Sequence, residues 1–534
     1  MKLCLDSLKN PAPWQAAGIA LPEFDLEAMR EATARAPVWV HLGAGNIFRG
    51  FIARLQQDLL NQGLAFQGIV AGEAFDPEII ERVYTPFQNL SLMVSLLADG
   101  TMEREVVASV AQSLRAGKAF HQDMERLEEI FRSPTLQLVS LTITEKGYAL
   151  RGLEGDYLPG VLADLEAGPG GCTHGMGILA GLLYQRFLAG GAPLAVVSMD
   201  NCSRNGEKLR ESVTAMGRGW LERGLAPQAF VDWLEDESQV SFPWTMIDKI
   251  TPRPAQEVAN ALAAAGLEGM EPVITGKNTY IAPFVNGEQP QYLVVEDRFP
   301  NGRPPLERAG VYMTDRETVS LTEAMKVTAC LNPLHTALAV FGCLLGCPSI
   351  AAEMEDRELR ALAEGIGWRE GLPAVKSPGI IQPEDFLAEV LEKRLPNPFL
   401  PDTPQRIATD TSQKVAIRFG ETIKRRQAEE LTCIPLAIAG WLRYLLGVDD
   451  QGEPMACSSD PMLETLQEKL AGVKLGLPET AGDQVLAPIL SNQALFGLDL
   501  CQRGLAPKIG EMLRQMLAGP GGVRATLKAY LAND

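Results

Sequence analysis

Two hydrophobic periods divide the chain. In the first part, short continuous apolar runs alternate with longer stretches whose apolar residues recur every three or four positions. The first run is Val38–Leu42, followed directly by GAGNIFRG from Gly43 to Gly50 and then by a helical pattern through Leu60. A second run, Gly68–Gly72, ends in Glu73. Further runs at Leu136–Ile143 and Pro193–Ser198 pass into the polar segments TEKGY and MDNCSRNG. Strands alternating with helices in this way predict a parallel sheet with crossover helices. The pattern changes after the Pro/Gly-rich stretch DRFPNGRPPL, Asp297–Leu306, beyond which the apolar spacing is helical throughout. Glu353–Gly365, Pro435–Leu446 and Lys508–Leu517 read as helices, with Pro435 at a helix start, where its missing N–H costs nothing. The expected division is an α/β half, residues 1–312, and a mainly α-helical half, residues 313–534.

One stretch raises the question of a membrane. Cys330–Ala352 carries no Asp, Glu, Lys or Arg and is long enough to span. Asn332, Pro333 and His335 near one end and Pro348 near the other leave Leu334–Gly346 as the clean helix, which predicts a buried core helix. At 534 residues, 46% hydrophobic and 22% charged, the composition is that of a packed globular protein of two domains. A net charge of −19 argues against nucleic-acid or anionic-membrane partners, which demand a positive field, but leaves room for an anionic small molecule. Nine cysteines without a CxxC pair, and an N-terminal MKLCLDSLKNPAPW without a signal-like apolar run, lead to the expectation of a cytoplasmic protein.

The glycine turn carries the first chemistry. Gly43 permits a tight turn, Gly45 lets the backbone approach a pyrophosphate, and the helix after the turn presents its N-terminus to the negative charge. A third glycine is wanted where Phe48 stands. Glu73 lies at the end of the next strand, where an acid accepts both ribose hydroxyls of NAD and repels the extra phosphate of NADP; Asp76 competes for that role. This is the reading of a Rossmann-like dinucleotide-binding domain with NAD as cofactor.

A second cluster lies in EAMKVTACLNPLHTALAVFG, Glu323–Gly342. Asn332 before Pro333 looks like a helix N-cap, which would set His335 in the first turn near the positive end of the dipole and keep its imidazole neutral. Lys326 sits in an apolar neighbourhood that would lower its pKa toward that of a general base, and Glu323, one helical turn earlier, could relay a proton. The bland alternatives are a cap and a satisfied core histidine. No metal is expected, because the four histidines have neither HxH nor HExxH spacing. Neither a GxSxG elbow nor a Walker A sequence occurs.

Taken in order, GAGNIFRG, SLTITEKGY (Ser140–Tyr148), MDNCSRNG, MIDKITP, VEDRFPNGRPPLERAG and EAMK with LN and H resemble the polyol-specific long-chain dehydrogenases. The resemblance implies an NAD-dependent enzyme that interconverts a secondary alcohol and a ketone on a sugar acid or polyol. It implies Lys326 as general acid/base, Asn332 and His335 as hydrogen-bond donors to the reacting oxygen, and Glu323 as proton gate. Asn201, Asp248, Arg406 and Lys414 would bind substrate between the two domains. Gly43, Ala44, Gly45, Asn46, Arg49, Gly50, Glu73, Thr142 and Thr144 would bind cofactor. Arg406 and Lys414, with Lys249 and Arg253, favour an acid of the D-mannonate/D-fructuronate kind; mannitol/fructose and another aldonate or alditol stay open, as do a sugar sensor without turnover and a 6-phosphogluconate-type dehydrogenase. One departure stands out. Five residues, Val327–Leu331, separate Lys326 from Asn332, one more than the family pattern. In an unbroken helix that would turn the lysine by about 100°.

Overall fold

A computed structural model describes residues 1–152 and 154–531. The chain forms two compact units, Met1–Leu97 with Thr101–Ser320, and Leu321–Asp534 with Ala98–Gly100.

The first unit is built on six parallel strands, β1 (Trp39–Leu42), β2 (Ile69–Glu73), β3 (Val110–Arg115), β4 (Leu138–Leu141), β5 (Leu194–Ser198) and β6 (Val240–Ser241). Their order in the sheet is β3-β2-β1-β4-β5-β6. Every residue of β1, β2, β4 and β5 is buried, so the strands read as continuous apolar runs because both faces are covered. Val40, Leu42, Val139 and Val196 enter one core; Trp39, Ala71, Leu138 and Val197 enter the other. This strand order is that of doubly wound dinucleotide-binding sheets, whose chain reversal falls between β1 and β4. Two smaller sheets flank it. One joins the antiparallel pair Ser91–Leu96 and Met102–Val107 to Phe284–Glu288; the other aligns Thr245–Asp248, Tyr292–Glu296 and Tyr312–Thr314.

That last strand explains why the first unit runs past residue 312. The Pro/Gly-rich segment is not a loose linker. Arg303 pairs with both oxygens of Asp297, at 2.8 and 2.9 Å, and the Asn301 amide donates to the carbonyls of Pro134 and Leu136 beside β4.

The second unit is helical. A helix spans Arg316–Leu345 in three registers: α1 (Arg316–Met325), a π-helical turn at Lys326–Cys330, and α2 (Asn332–Leu345). By length and composition it could cross a membrane, but 78% of its most apolar window is buried inside the protein. α2 packs against α3 (Arg357–Glu364) and α4 (Cys433–Tyr444), and α4 against α5 (Ala506–Met516). The helix expected at Glu353–Gly365 is broken, because Asp356 caps a new start by accepting the amides of Glu358 and Leu359. Pro435 is the third residue of α4 rather than its first, still within the turn where an amide has no partner.

Candidate active site

The glycine corner directly succeeds β1. Gly43 has φ +106°, and a Cβ there would lie 2.2 Å from the Thr142 carbonyl oxygen, so only glycine fits. The amides of Gly45, Asn46 and Ile47, at the start of the next helix, make no hydrogen bond among the described residues. A Cβ on Gly45 would meet nothing within 4 Å. Open space before uncommitted helix-start amides fits the pyrophosphate of a dinucleotide.

Phe48 replaces the expected third glycine by stacking on His41, with ring centroids 4.2 Å apart and planes 7° apart. His41 is fully buried between the Ser140 hydroxyl at 2.6 Å and the Thr142 hydroxyl at 2.9 Å. Burial pushes its pKa down to about 3, so the ring is neutral. Gly50 provides the close approach instead, since a Cβ there would sit 2.7 Å from Val285 Cγ1.

Three cofactor expectations change. Glu73 is 4% exposed; its Oε2 accepts the Ala44 amide at 2.8 Å, and its Oε1 accepts the amides of Phe75 and Asp76 at 2.8 and 2.9 Å. The carboxylate therefore braces the glycine turn, a role that also commits the Ala44 amide. Asp76 accepts the hydroxyls of Thr275 and Thr279, both at 2.6 Å. Arg49 points into the core, where its guanidinium donates to the Ala282 carbonyl at 2.7 Å and to Asn46 Oδ1 at 2.9 Å. It orients Asn46 and the turn rather than meeting a phosphate.

Thr142 holds the other side of the corner through its hydroxyl to the Gly43 carbonyl at 3.2 Å. Thr144 has φ 63° and ψ 160°, a backbone region nearly confined to glycine. Asp200 fixes it there by accepting the amides of Ile143 and Thr144, both at 2.9 Å, and the Tyr148 hydroxyl. Asn201 comes next, on an exposed turn. Asn205 ties this segment to the strand that ends in Asp248: its amide donates to the Asp200 carbonyl and to the Thr245 hydroxyl, and its Oδ1 accepts the Thr245 amide. Asp248 itself is buried. Lys249 donates to the Glu288 carbonyl, and Arg253 lies 3.9 Å over the Tyr280 ring.

In the second unit, Lys326 is 3% exposed and Glu323, one turn earlier, is half-buried. The Leu331 amide donates to the Lys326 carbonyl at 3.1 Å, the i→i+5 bond of a π turn. A π turn takes up one residue without rotating the helix beyond it, and so accommodates the extra residue before Asn332. Thr328, whose carbonyl meets no amide at Pro333, receives the Thr422 hydroxyl at 3.1 Å instead. Asn332 is consequently not an N-cap: it is the first residue of α2, with Leu331 before it and no side-chain cap. The helix arrives from upstream, so His335 does not stand at a free positive helix end; its amide donates to the Leu331 carbonyl. The imidazole Nε2 lies 3.6 Å from Asp402, whose carboxylate also contacts Arg406. Lys414 donates to the carbonyls of Ile407 and Thr409. Burial first, then the neighbouring Arg418, lowers the Lys414 pKa.

The sequence reading overlooked Arg418. Its Nη1 donates to Thr336 Oγ1 at 2.6 Å and reaches the Asn332 carbonyl at 3.5 Å. Spacing held the clue, since Lys414 and Arg418 are four apart and share a face in any helical turn.

A Rossmann-type sheet with an anion-ready glycine corner, joined to a helical unit with a buried lysine, defines the class. Residues 37–307 match the profile of the mannitol dehydrogenase Rossmann domain, and residues 319–517 that of the mannitol dehydrogenase C-terminal domain. The chain belongs to the mannitol dehydrogenase family. It is 51% identical to D-mannonate oxidoreductase of Thermotoga maritima, with both chains covered completely. Among solved structures, D-sorbitol dehydrogenase in substrate-free form superposes with a TM-score of 0.81 at 26% identity, covering 99% of this chain and 100% of that one. Mannitol 2-dehydrogenase of Pseudomonas fluorescens, in a ternary complex with NAD and D-mannitol, superposes with a TM-score of 0.69 at 26% identity, covering 100% of both.

Proposed function

We propose that this chain is a cytoplasmic NAD-dependent oxidoreductase that interconverts D-mannonate and D-fructuronate. The similarity to D-mannonate oxidoreductase along the whole chain carries the reading. Arg418, bonded to the Asn332 carbonyl and the Thr336 hydroxyl, supports an acidic substrate. NAD, held by the amides of Gly45, Asn46 and Ile47 with Thr142 and Thr144 alongside, supplies hydride chemistry when bound.

In oxidation, Lys326 as the neutral amine takes the hydroxyl proton while the carbon loses its hydride. In reduction, the same group, protonated, returns the proton to the new alkoxide. Asn332 and His335 hold the oxygen as negative charge develops on it, and preorganised donors in a buried setting are effective there. Asp402 orients the His335 ring. Glu323 exchanges the proton with solvent, and Asn201 and Asp248 contact the sugar hydroxyls.

The test monitors loss of NADH absorbance with D-fructuronate, D-fructose and other keto-sugars. Reduction of fructuronate with a kcat/KM at least tenfold above that for fructose is expected. Faster turnover of fructose would replace the reading by a mannitol dehydrogenase, and NADH binding without turnover of any sugar would replace it by a sensor.

A further inference from the structure

We propose that Arg418 is the receptor for the carboxylate that distinguishes an acidic sugar from a neutral polyol. The inference rests on the substrate class proposed above and assigns it to one residue. Arg418 lies in the π-helical turn Ala416–Gly420 and is held by Thr336, which is 2% exposed and one helical turn past Asn332. The guanidinium's only bonds among the described residues are neutral: the Thr336 hydroxyl and the Asn332 carbonyl, both through Nη1. That leaves the Nε–Nη2 edge without a partner, and neither atom is sealed from solvent. This edge is the planar fork that binds a carboxylate with two parallel hydrogen bonds.

The neighbouring cations are committed elsewhere. Arg406 contacts Asp402, and Lys414 is anchored on two carbonyls. Burial pushes the Arg418 pKa down to about 10, the mark of a desolvated charge without a counter-ion. A guanidinium left so costs free energy unless an anion arrives to pair with it. Its partners, the Asn332 carbonyl and the Thr336 hydroxyl, belong to the turn that also carries His335. A carboxylate seated on the free edge therefore lies beside the groups proposed to hold the reacting oxygen.

The deciding quantity is the ratio of kcat/KM for D-fructuronate to that for D-fructose, measured with NADH on the full-length protein. Arg418→Met should lower the ratio on the order of 100-fold, chiefly through KM for the acid, as expected on removing a charge-assisted pair. Arg418→Lys, which keeps the charge but not the fork, should fall in between. Thr336→Val, which frees the guanidinium from its support, should lower the ratio about tenfold and decides the matter if Arg418→Met fails to fold. Melting curves and NADH titrations accompany each variant. A ratio unchanged in folded variants overturns the assignment. Wild-type protein that reduces fructose but no keto-uronate overturns the substrate class instead.

Discussion

The Leu331 amide donates to the Lys326 carbonyl, not to that of Val327, and this single shift converts one turn of the helix from α to π. The extra residue between Lys326 and Asn332 is thereby absorbed where it occurs. Deleting Thr328 should return the turn to α geometry with the lysine on the same face, and activity should stay within about tenfold of wild type. Inserting a further alanine after Val327 has no wider turn to enter, so Lys326 swings by about 100°. Loss of a positioned acid/base then costs about 1000-fold in kcat. A folded deletion variant that loses activity as completely as the insertion would refute the absorbed-residue account.

Glu73 gives the second prediction. An acid that merely repelled the NADP phosphate could be removed to widen cofactor choice. Here the carboxylate accepts three backbone amides around the glycine corner. Glu73→Ala leaves these three amides without acceptors, at about 1–3 kcal/mol for each of the two buried ones, Ala44 and Asp76. Expected are a melting temperature several degrees lower and weaker binding of NADH and NADPH alike, read by fluorescence titration. A variant that melts like wild type and gains NADPH affinity would restore the ribose role.

The strands, the glycine turn and the helical second half were legible because each is a local signal: buried runs, a positive-φ glycine, a three-to-four spacing. The features that escaped were set by contacts far along the chain. Asn332–Pro333 reads as a helix start, yet the upstream helix continues into it, and packing overrules the cap. Asp297–Leu306 reads as a linker, yet Asn301 pins it to residues beside β4. Position 73 was found correctly as a strand-end acid; which amides face it depends on the fold of β1 and β2 together. Arg418 lay only four residues past a recognised cation, but its worth depends on Thr336, eighty-two residues away in sequence.

Glu353 gives the third prediction. It is fully buried in the second unit, and neither carboxyl oxygen has a hydrogen-bond partner among the described residues. Burial, then the charge of Asp356, raises its pKa well above the ordinary carboxylate range. The folded protein holds this proton at a pH where the unfolded chain has released it. Unfolding therefore releases a proton, and stability falls as pH rises from the ordinary carboxylate value toward the raised one, by about 1.4 kcal/mol per pH unit. Glu353→Gln removes that slope while keeping the shape. From pH 5 upward, until Glu353 ionises in the fold, wild type should lose about 3 °C of melting temperature per pH unit relative to the variant. Parallel curves for the two proteins would mean that Glu353 is ionised in the fold.

Thr144 gives the fourth. A β-branched side chain at φ 63° and ψ 160° costs about 1–3 kcal/mol, and Asp200 holds the backbone there through the Ile143 and Thr144 amides. Strain kept at the end of β4, beside the glycine corner, matters only if the side chain it displays is useful there. Thr144→Gly removes the strain at about 0.5–1 kcal/mol of chain entropy, so the variant should melt 2–4 °C higher. Thr144→Ala keeps the strained backbone and loses only the hydroxyl, so it should melt no higher than wild type. If the hydroxyl meets the cofactor, both variants should bind NADH several-fold more weakly, one from a more stable protein and one not. Equal melting of the glycine and alanine variants would show that the backbone here is unstrained, and undiminished NADH affinity in both would remove Thr144 from the cofactor site.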